Sequence, residues 1–148
     1  MDLQNLMERI KKHEGFVNKI YKDSLGFATI GYGHLITASD TFVEGKEYTK
    51  EELEFVFKDD FNNALAHANS LMDGMALHVQ AKEVIVEMVF QLGVGGVQKF
   101  KKMWEALRNG DYQEASVQML DSRWAKQTPK RAESLSNTMR ACKLWWVY

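Results

Sequence analysis

Two carboxylates lie near the start of the chain, Glu14 and Asp23. Glu14 sits where a short helix should stop, directly before Gly15, and Asp23 sits at a turn between two short β-favouring runs. Both acids therefore flank one small sheet, and neither falls in the middle of an exposed helix face. Hydrolysing a glycosidic bond needs such a pair. One carboxyl stays protonated to donate to the leaving oxygen, and the other stays ionised to activate water or attack the sugar. A gap of roughly 6.5–9.5 Å admits a water and inverts the anomeric carbon, whereas roughly 5 Å gives retention. Spacing along the chain does not fix that distance, and 20 acidic residues in 148 make such pairs common.

The elements that must hold these residues follow from the pattern around them. Leu3, Leu6, Met7 and Ile10 recur at helical spacing, with Asp2 placed to cap the start and Gly15 to stop the helix. Short runs at Val17–Tyr21, Phe27–Ile30 and His34–Thr37, with glycines at 26, 31 and 33, predict an antiparallel meander of two hairpins. Residues 38–48 are polar and acidic and read as a surface connection. Thr49 with Glu52 forms a capping box, which opens a long helix with Leu53, Val56, Phe57, Phe61, Ala64, Leu65, Ala68 and Leu71 on one stripe and Gly74 at its end.

Everything beyond reads as helical. Val79 to Leu92 is the most apolar stretch and the expected centre of a core, broken by Gly93, Gly95 and Gly96. Further helices are expected from about 97 to 108, from Asp111 with Glu114, and from Thr128-Pro129, where the single proline occupies the first helical position. The aromatic tail Leu144–Tyr148 is expected to pack back on the core. The fold class is thus α+β and mostly helical, in one domain. A small antiparallel β lobe covers about 14–48, a linking helix about 49–73, and a helical lobe about 74–148 together with the N-terminal helix 2–13.

Composition narrows the function classes. Apolar residues make up 45% and charged residues 26%, ordinary for a globular chain and too apolar for global disorder. No apolar run approaches the roughly 20 residues of a membrane helix, so no membrane insertion is expected. The first helix carries Asp2, Glu8, Arg9, Lys11 and Lys12 without an apolar core, unlike a secretory signal. The expectation is synthesis in the cytoplasm of the producing cell. Cys142 is the sole cysteine, so no internal disulfide forms, and its setting suits a small buried thiol on a helix. A net charge of −1 argues against general nucleic-acid binding. The charge is uneven: nine basic and fifteen acidic side chains before residue 97, ten basic and five acidic after it. The basic half could face an anionic polymer or simply scatter its charge over solvated helices. His13, His34, His67 and His78 lack zinc spacing, and Gly93-Val94-Gly95-Gly96 lacks the order of a dinucleotide loop, so neither metal nor cofactor is expected.

Glu14-Gly15, Ile20-Tyr21-Lys22-Asp23 and Thr29-Ile30-Gly31-Tyr32-Gly33-His34-Leu35 together resemble the bacteriophage lysozymes of the T-even type, glycoside hydrolase family 24. The resemblance continues in order through Met88-Val89-Phe90-Gln91, Gly95-Gly96-Val97, Ser122-Arg123-Trp124, Gln127-Thr128-Pro129 and Arg131-Ala132. It implies a lysozyme-like fold and a peptidoglycan muramidase that inverts at the anomeric carbon, cutting between N-acetylmuramic acid and N-acetylglucosamine. Glu14 would be the general acid, Asp23 the general base and Thr29 the residue that helps place the attacking water. Leu35 and Phe90 fall on positions that contact the saccharide, and Gln118 falls where the family often has asparagine. Arg131 resembles the arginine that pairs with the catalytic glutamate. His34 resembles a histidine paired with an acid on the long helix, for which Asp60 is the candidate. An arginine near Glu14 would favour its ionised form and apolar burial its protonated form, and the sequence leaves that balance open.

Departures from the family pattern bear on substrate reach. The T-even type carries an extra helix after the position of Leu35, and here only about Ala38 to Tyr48 is available to wall that side of the cleft. Met103 stands where the family has a cleft serine. The chain is also less positive than wall-degrading lysozymes usually are, so a weaker and more salt-sensitive attraction to an anionic wall is expected. The implied partner is the peptidoglycan glycan strand, met by a monomer. The implied setting is an endolysin that reaches the wall or periplasm through a separately made holin-type pore, or a domain of a larger phage-tail or bacterial effector protein. Two competing readings remain: a peptidoglycan-binding module of the same fold without turnover, and a helical interaction protein with no glycan role. Neither requires Glu14, Asp23 and Thr29 together.

Overall fold

The structure, a computed structural model, describes residues 1–143, and the tail expected to pack on the core lies outside them. In chain order the elements are α1 (Leu3–Glu14), β1 (Val17–Lys22), β2 (Ala28–Gly31), β3 (His34–Leu35), α2 (Lys50–Leu71), α3 (Val79–Gln98), α4 (Lys101–Arg108), α5 (Tyr112–Leu120), α6 (Arg123–Gln127) and α7 (Pro129–Ala141). This is the α+β, mostly helical, lysozyme-like architecture expected from the sequence. The chain divides into two compact units, Asp2–Asn63 and the remainder from Ala64, with α2 contributing residues to both.

The first unit contains α1, the sheet and most of α2. Asp2 caps α1 by accepting from the Asn5 N–H at 3.2 Å, and Gly15 (φ 74°) ends it while donating to Lys11 O. The three strands run antiparallel in the order β1-β2-β3, with a bulge in β1 between Val17 and Tyr21. The second strand pair is short because β3 ends at Leu35, although the Ile36 N–H still donates to Ala28 O. The expected capping box is present: Thr49 N–H donates to Glu52 Oε1 and Glu52 N–H to Thr49 Oγ1, both at 3.1 Å. Leu6, Ile10, Ile30, Leu53, Phe57 and Phe61 are buried, each fully buried side chain contributing about 2 kcal/mol by removal from water.

The segment between β3 and α2 has no helix but is ordered by side chains. Tyr48 receives the Val43 N–H on its hydroxyl and donates its own N–H to Asn18 O on β1. Phe42 packs edge-on against both His34 and Tyr48.

The second unit is helical. In it α7 packs on α3, α5 and α6, and α4 packs on α5. Its core includes Ile85, Met88, Met103, Met119 and Met139, with Trp104 anchored by donating Nε1–H to Val97 O at 2.9 Å. Only Gly93 (φ 77°, ψ 162°) leaves helical geometry in the glycine cluster, so α3 kinks there and continues through Gly95 and Gly96 to Gln98. The helix expected from about 97 therefore begins at Lys101. A short helix absent from the sequence expectation, α6, is capped by Ser122, whose Oγ accepts the Ala125 N–H. Pro129 opens α7 as expected.

Candidate active site

Asp23 occupies the turn joining β1 to β2, and the backbone fixes its carboxylate. Oδ1 accepts the N–H groups of Leu25 and Phe27, each at 2.9 Å. The turn is closed by Gly26 N–H donating to Asp23 O, with Gly26 at φ 87° supplying the left-handed step. With Oδ1 engaged twice, Oδ2 is the oxygen able to take a proton from water.

Thr29 stands on β2 opposite Tyr21 of β1 and is 4% exposed. Its hydroxyl donates to Phe27 O at 2.9 Å. The proton is thereby committed to a carbonyl, and the oxygen lone pairs are left to accept a hydrogen from water. Asp23 and Thr29 are thus both registered on the backbone of Phe27, whose N–H serves one and whose C=O serves the other.

Glu14 is the last residue of α1, half-buried, and faces the β2–β3 turn. Gly33 (φ 73°) is the reason it fits. A Cβ built at that position would overlap Glu14 Oε1 and lie 2.9 Å from its Cδ. Gly31, also left-handed at φ 66°, would only touch Leu53 at an ordinary 3.5 Å. Tyr21 reports on both acids: its phenol is pushed above the usual range by burial first, then by the negative charges of Glu14 and Asp23. The Tyr21 hydroxyl therefore belongs to the same electrostatic neighbourhood.

His34 bonds two carboxylates. Nδ1 lies 2.7 Å from Asp60 Oδ2, the expected partner, and Nε2 lies 3.0 Å from Asp40 Oδ2, which the sequence did not single out. The hydrogen bond to Asp60 leads in raising its pKa to about 9, against a lowering by burial, so the ring is an imidazolium at neutral pH. Asp40 is held below the usual carboxylate range by the Thr37 N–H and by His34, despite some burial. This cluster fixes the polar connection to β3 and α2 and has no ring nitrogen left for proton transfer.

Of the remaining residues expected from the sequence, Leu35 pairs across the sheet with Thr29 and the others belong to the helical unit. Leu35 on β3 is exposed, 52%. In the helical unit, Phe90 is half-buried on α3, and Gln118 on α5 donates to Glu114 Oε1 at 2.7 Å. Arg131 donates Nε–H to Glu87 Oε2 at 3.0 Å, and Glu87 is 1% exposed. Met103 is fully buried in that unit, consistent with leaving the cleft-serine role off it. Gly33, Tyr21, Asp40 and Glu87 were not identified as site residues from sequence. Glu87 carried a local signal as an acid inside the apolar run of α3, and Gly33 one as a turn glycine.

Comparison with known proteins adds an independent line. The sequence model of the family described as phage lysozyme matches residues 11–141. The chain is 30% identical to a probable T4-type lysozyme of Dictyostelium discoideum, over 88% of this chain and 90% of that protein. It is 30% identical to the pre-baseplate central spike protein of Enterobacteria phage T4, over 89% of this chain but 27% of the spike. It is 26% identical to a peptidoglycan hydrolase of Pseudomonas phage phiKMV, over 93% of this chain and 15% of that protein.

Proposed function

The chain belongs to the phage lysozyme family, and on that premise we propose that Glu14 and Asp23 act as its acid and base. The enzyme is a glycoside hydrolase of the lysozyme type, a peptidoglycan muramidase. The observation that carries the assignment of roles is the shared registration of Asp23 and Thr29 on Phe27. A water lying between Asp23 Oδ2 and Thr29 Oγ1 donates one hydrogen to each and keeps a lone pair for the anomeric carbon. Asp23 takes the proton as the water attacks, and Glu14 gives its proton to the departing glycosidic oxygen. The products are two shorter glycan strands, one with a new reducing end. The configuration inverts, because water and leaving group occupy opposite faces. After each turnover Glu14 is ionised and Asp23 protonated, so proton exchange with solvent must restore both.

The saccharide contacts in this reading are Leu35, Phe90 and Gln118, and Arg131 is a supporting residue, as the family resemblance implies. The protein works as a monomer, in one domain, on the glycan strands of the wall. It reaches them by release through a separately made pore, or as part of a larger phage protein; the matches to segments of two long phage proteins support the latter setting.

The test is purified murein treated with wild type and with Glu14→Gln, which removes the donatable proton while keeping shape. We expect new muramic acid reducing ends from the wild type and a loss of about a thousandfold in rate for the variant. Proton NMR of the fresh product should give the α anomer first. A folded wild-type protein that makes no new ends would leave a binding module as the better account. Initial formation of the β anomer would instead assign Asp23 as nucleophile.

A further inference from the structure

We propose that the groove between α1 and the first turns of α2 is a second saccharide-binding site, taking a neutral N-acetylated pyranose segment of the same polymer. This goes beyond the catalytic pair and rests on the reading of the chain as a peptidoglycan hydrolase. The groove encloses about 470 Å³, and none of Glu14, Asp23 or Thr29 lines it. That volume lies within the roughly 300–1,000 Å³ of ordinary ligand sites.

Its floor holds one ammonium between two carboxylates. Lys11 Nζ lies 2.6 Å from Glu54 Oε1 and 3.6 Å from Glu8 Oε1. The same ammonium sits 5.3 Å above the ring centre of Tyr32 and 5.1 Å above that of Phe57. Lys11 is therefore satisfied and demands no anion from outside. The rim carries Lys50 and Lys58 against Glu51, which brings the whole lining to three acids and three bases. A site so neutralised selects neither a polyanion nor a cation.

Phe55 decides what it does select. Its ring lines the groove and is 77% exposed, the most exposed large apolar side chain among the described residues. The buried stripe of α2, through Leu53, Phe57 and Phe61, is complete without it. Glu51, Phe55 and Lys58 make no side-chain hydrogen bond, ion pair or ring contact among the described residues. The groove thus offers an apolar ring face bordered by carboxylates that accept hydroxyl hydrogens and ammonium groups that donate to hydroxyl and acetamide oxygens. A pyranose has the matching surface, a C–H face edged with hydroxyls. An apolar peptide or lipid tail would instead strip water from Glu51, Lys50 and Lys58 without replacing its hydrogen bonds. The site would hold a glycan strand on the enzyme between cuts, so it matters for the insoluble polymer and not for short fragments.

The experiment compares Glu14→Gln with Glu14→Gln/Phe55→Ala in co-sedimentation with purified murein sacculi, where no cutting interferes. We expect Phe55→Ala to weaken sacculus binding about fivefold, the scale of one aromatic contact, and Phe55→Trp to restore it. The single variant Phe55→Ala should cleave short soluble glycan fragments at the wild-type rate. In a parallel NMR titration, N-acetylglucosamine tetramer should shift amides of residues 8–11 and 50–58. Equal sacculus binding with and without Phe55, or a titration that leaves those amides unmoved, overturns the site. A dimer that dissociates in Phe55→Ala would also overturn it, by assigning the face to a second copy of the chain. Failure of the hydrolase reading looks different, as a wild type that releases no reducing ends whatever stands at position 55.

Discussion

In the unit Asp2–Asn63 the groups around the candidate site are tied to partners close in sequence, while Lys11–Glu54 and His34–Asp60 span the unit, and the helical unit ties Glu87 to Arg131 across 44 positions of chain. Asp23 is held by Leu25 and Phe27, Thr29 by Phe27, and Thr49 and Glu52 by each other. Glu87 and Arg131 come from α3 and α7, and neither has any local reason to meet the other. Around Asp23 and Thr29 the first unit uses polarity to aim groups. The second uses it to fix how two helices pack. A fault at the β1–β2 turn should therefore register as lost activity, and a fault in the Glu87–Arg131 pair as lost stability.

Three variants test that division, beginning with the helical unit. Glu87→Ala takes from Arg131 the acceptor of its Nε–H in a nearly water-free setting, and should lower unfolding free energy by about 3 kcal/mol in urea titration. A loss below about 0.5 kcal/mol would place the pair with ordinary surface ion pairs and blur the contrast. In the first unit, Gly33→Ala should cut murein hydrolysis about a hundredfold by displacing the Glu14 carboxylate. Gly31→Ala imposes similar left-handed strain without that overlap and is the control. Comparable activity in the two variants would sink the idea that Gly33 acts by making room.

The smallest effect concerns His34. Its folded-state pKa of about 9 exceeds the ordinary 6.5, so its stabilisation is complete below pH 6.5 and disappears as pH rises towards 9. After discounting for partial exposure, about 2 kcal/mol should be lost over that window. Asp40 acts in the opposite sense: its lowered pKa gives stability that is present above the ordinary carboxylate value and lost on acidification. Urea titrations at pH 6 and pH 9 should differ in wild type and converge in His34→Gln. A difference that survives the substitution would point to another group.

What could be read from the sequence follows the distance along the chain between partners. Caps, turns and strand runs depend on residues a few positions apart, so Asp2, Gly15, Gly26 and the Thr49–Glu52 box were all recognisable. The two catalytic candidates stood at ends of such elements. Asp40 was not recognisable as a partner of His34, because a polar connection offers several acids and only the folded path selects one. Gly33 was visible as a turn residue, but its second duty depends on α1 ending against it. At the glycine cluster the chain composition suggested a full break. Helical hydrogen bonding outweighs the propensity of Gly95 and Gly96, and only Gly93 adopts an incompatible conformation.

The tethered connection between β3 and α2 also has a use in engineering. Its two ends are clamped independently, Asp40 by His34 and Tyr48 by the Asn18 carbonyl, while Val43, Glu44 and Gly45 between them are exposed. A foreign cassette spliced between those clamps would inherit two fixed attachment points. The chain thus carries a ready docking port for a grafted helix or binding loop beside its sheet.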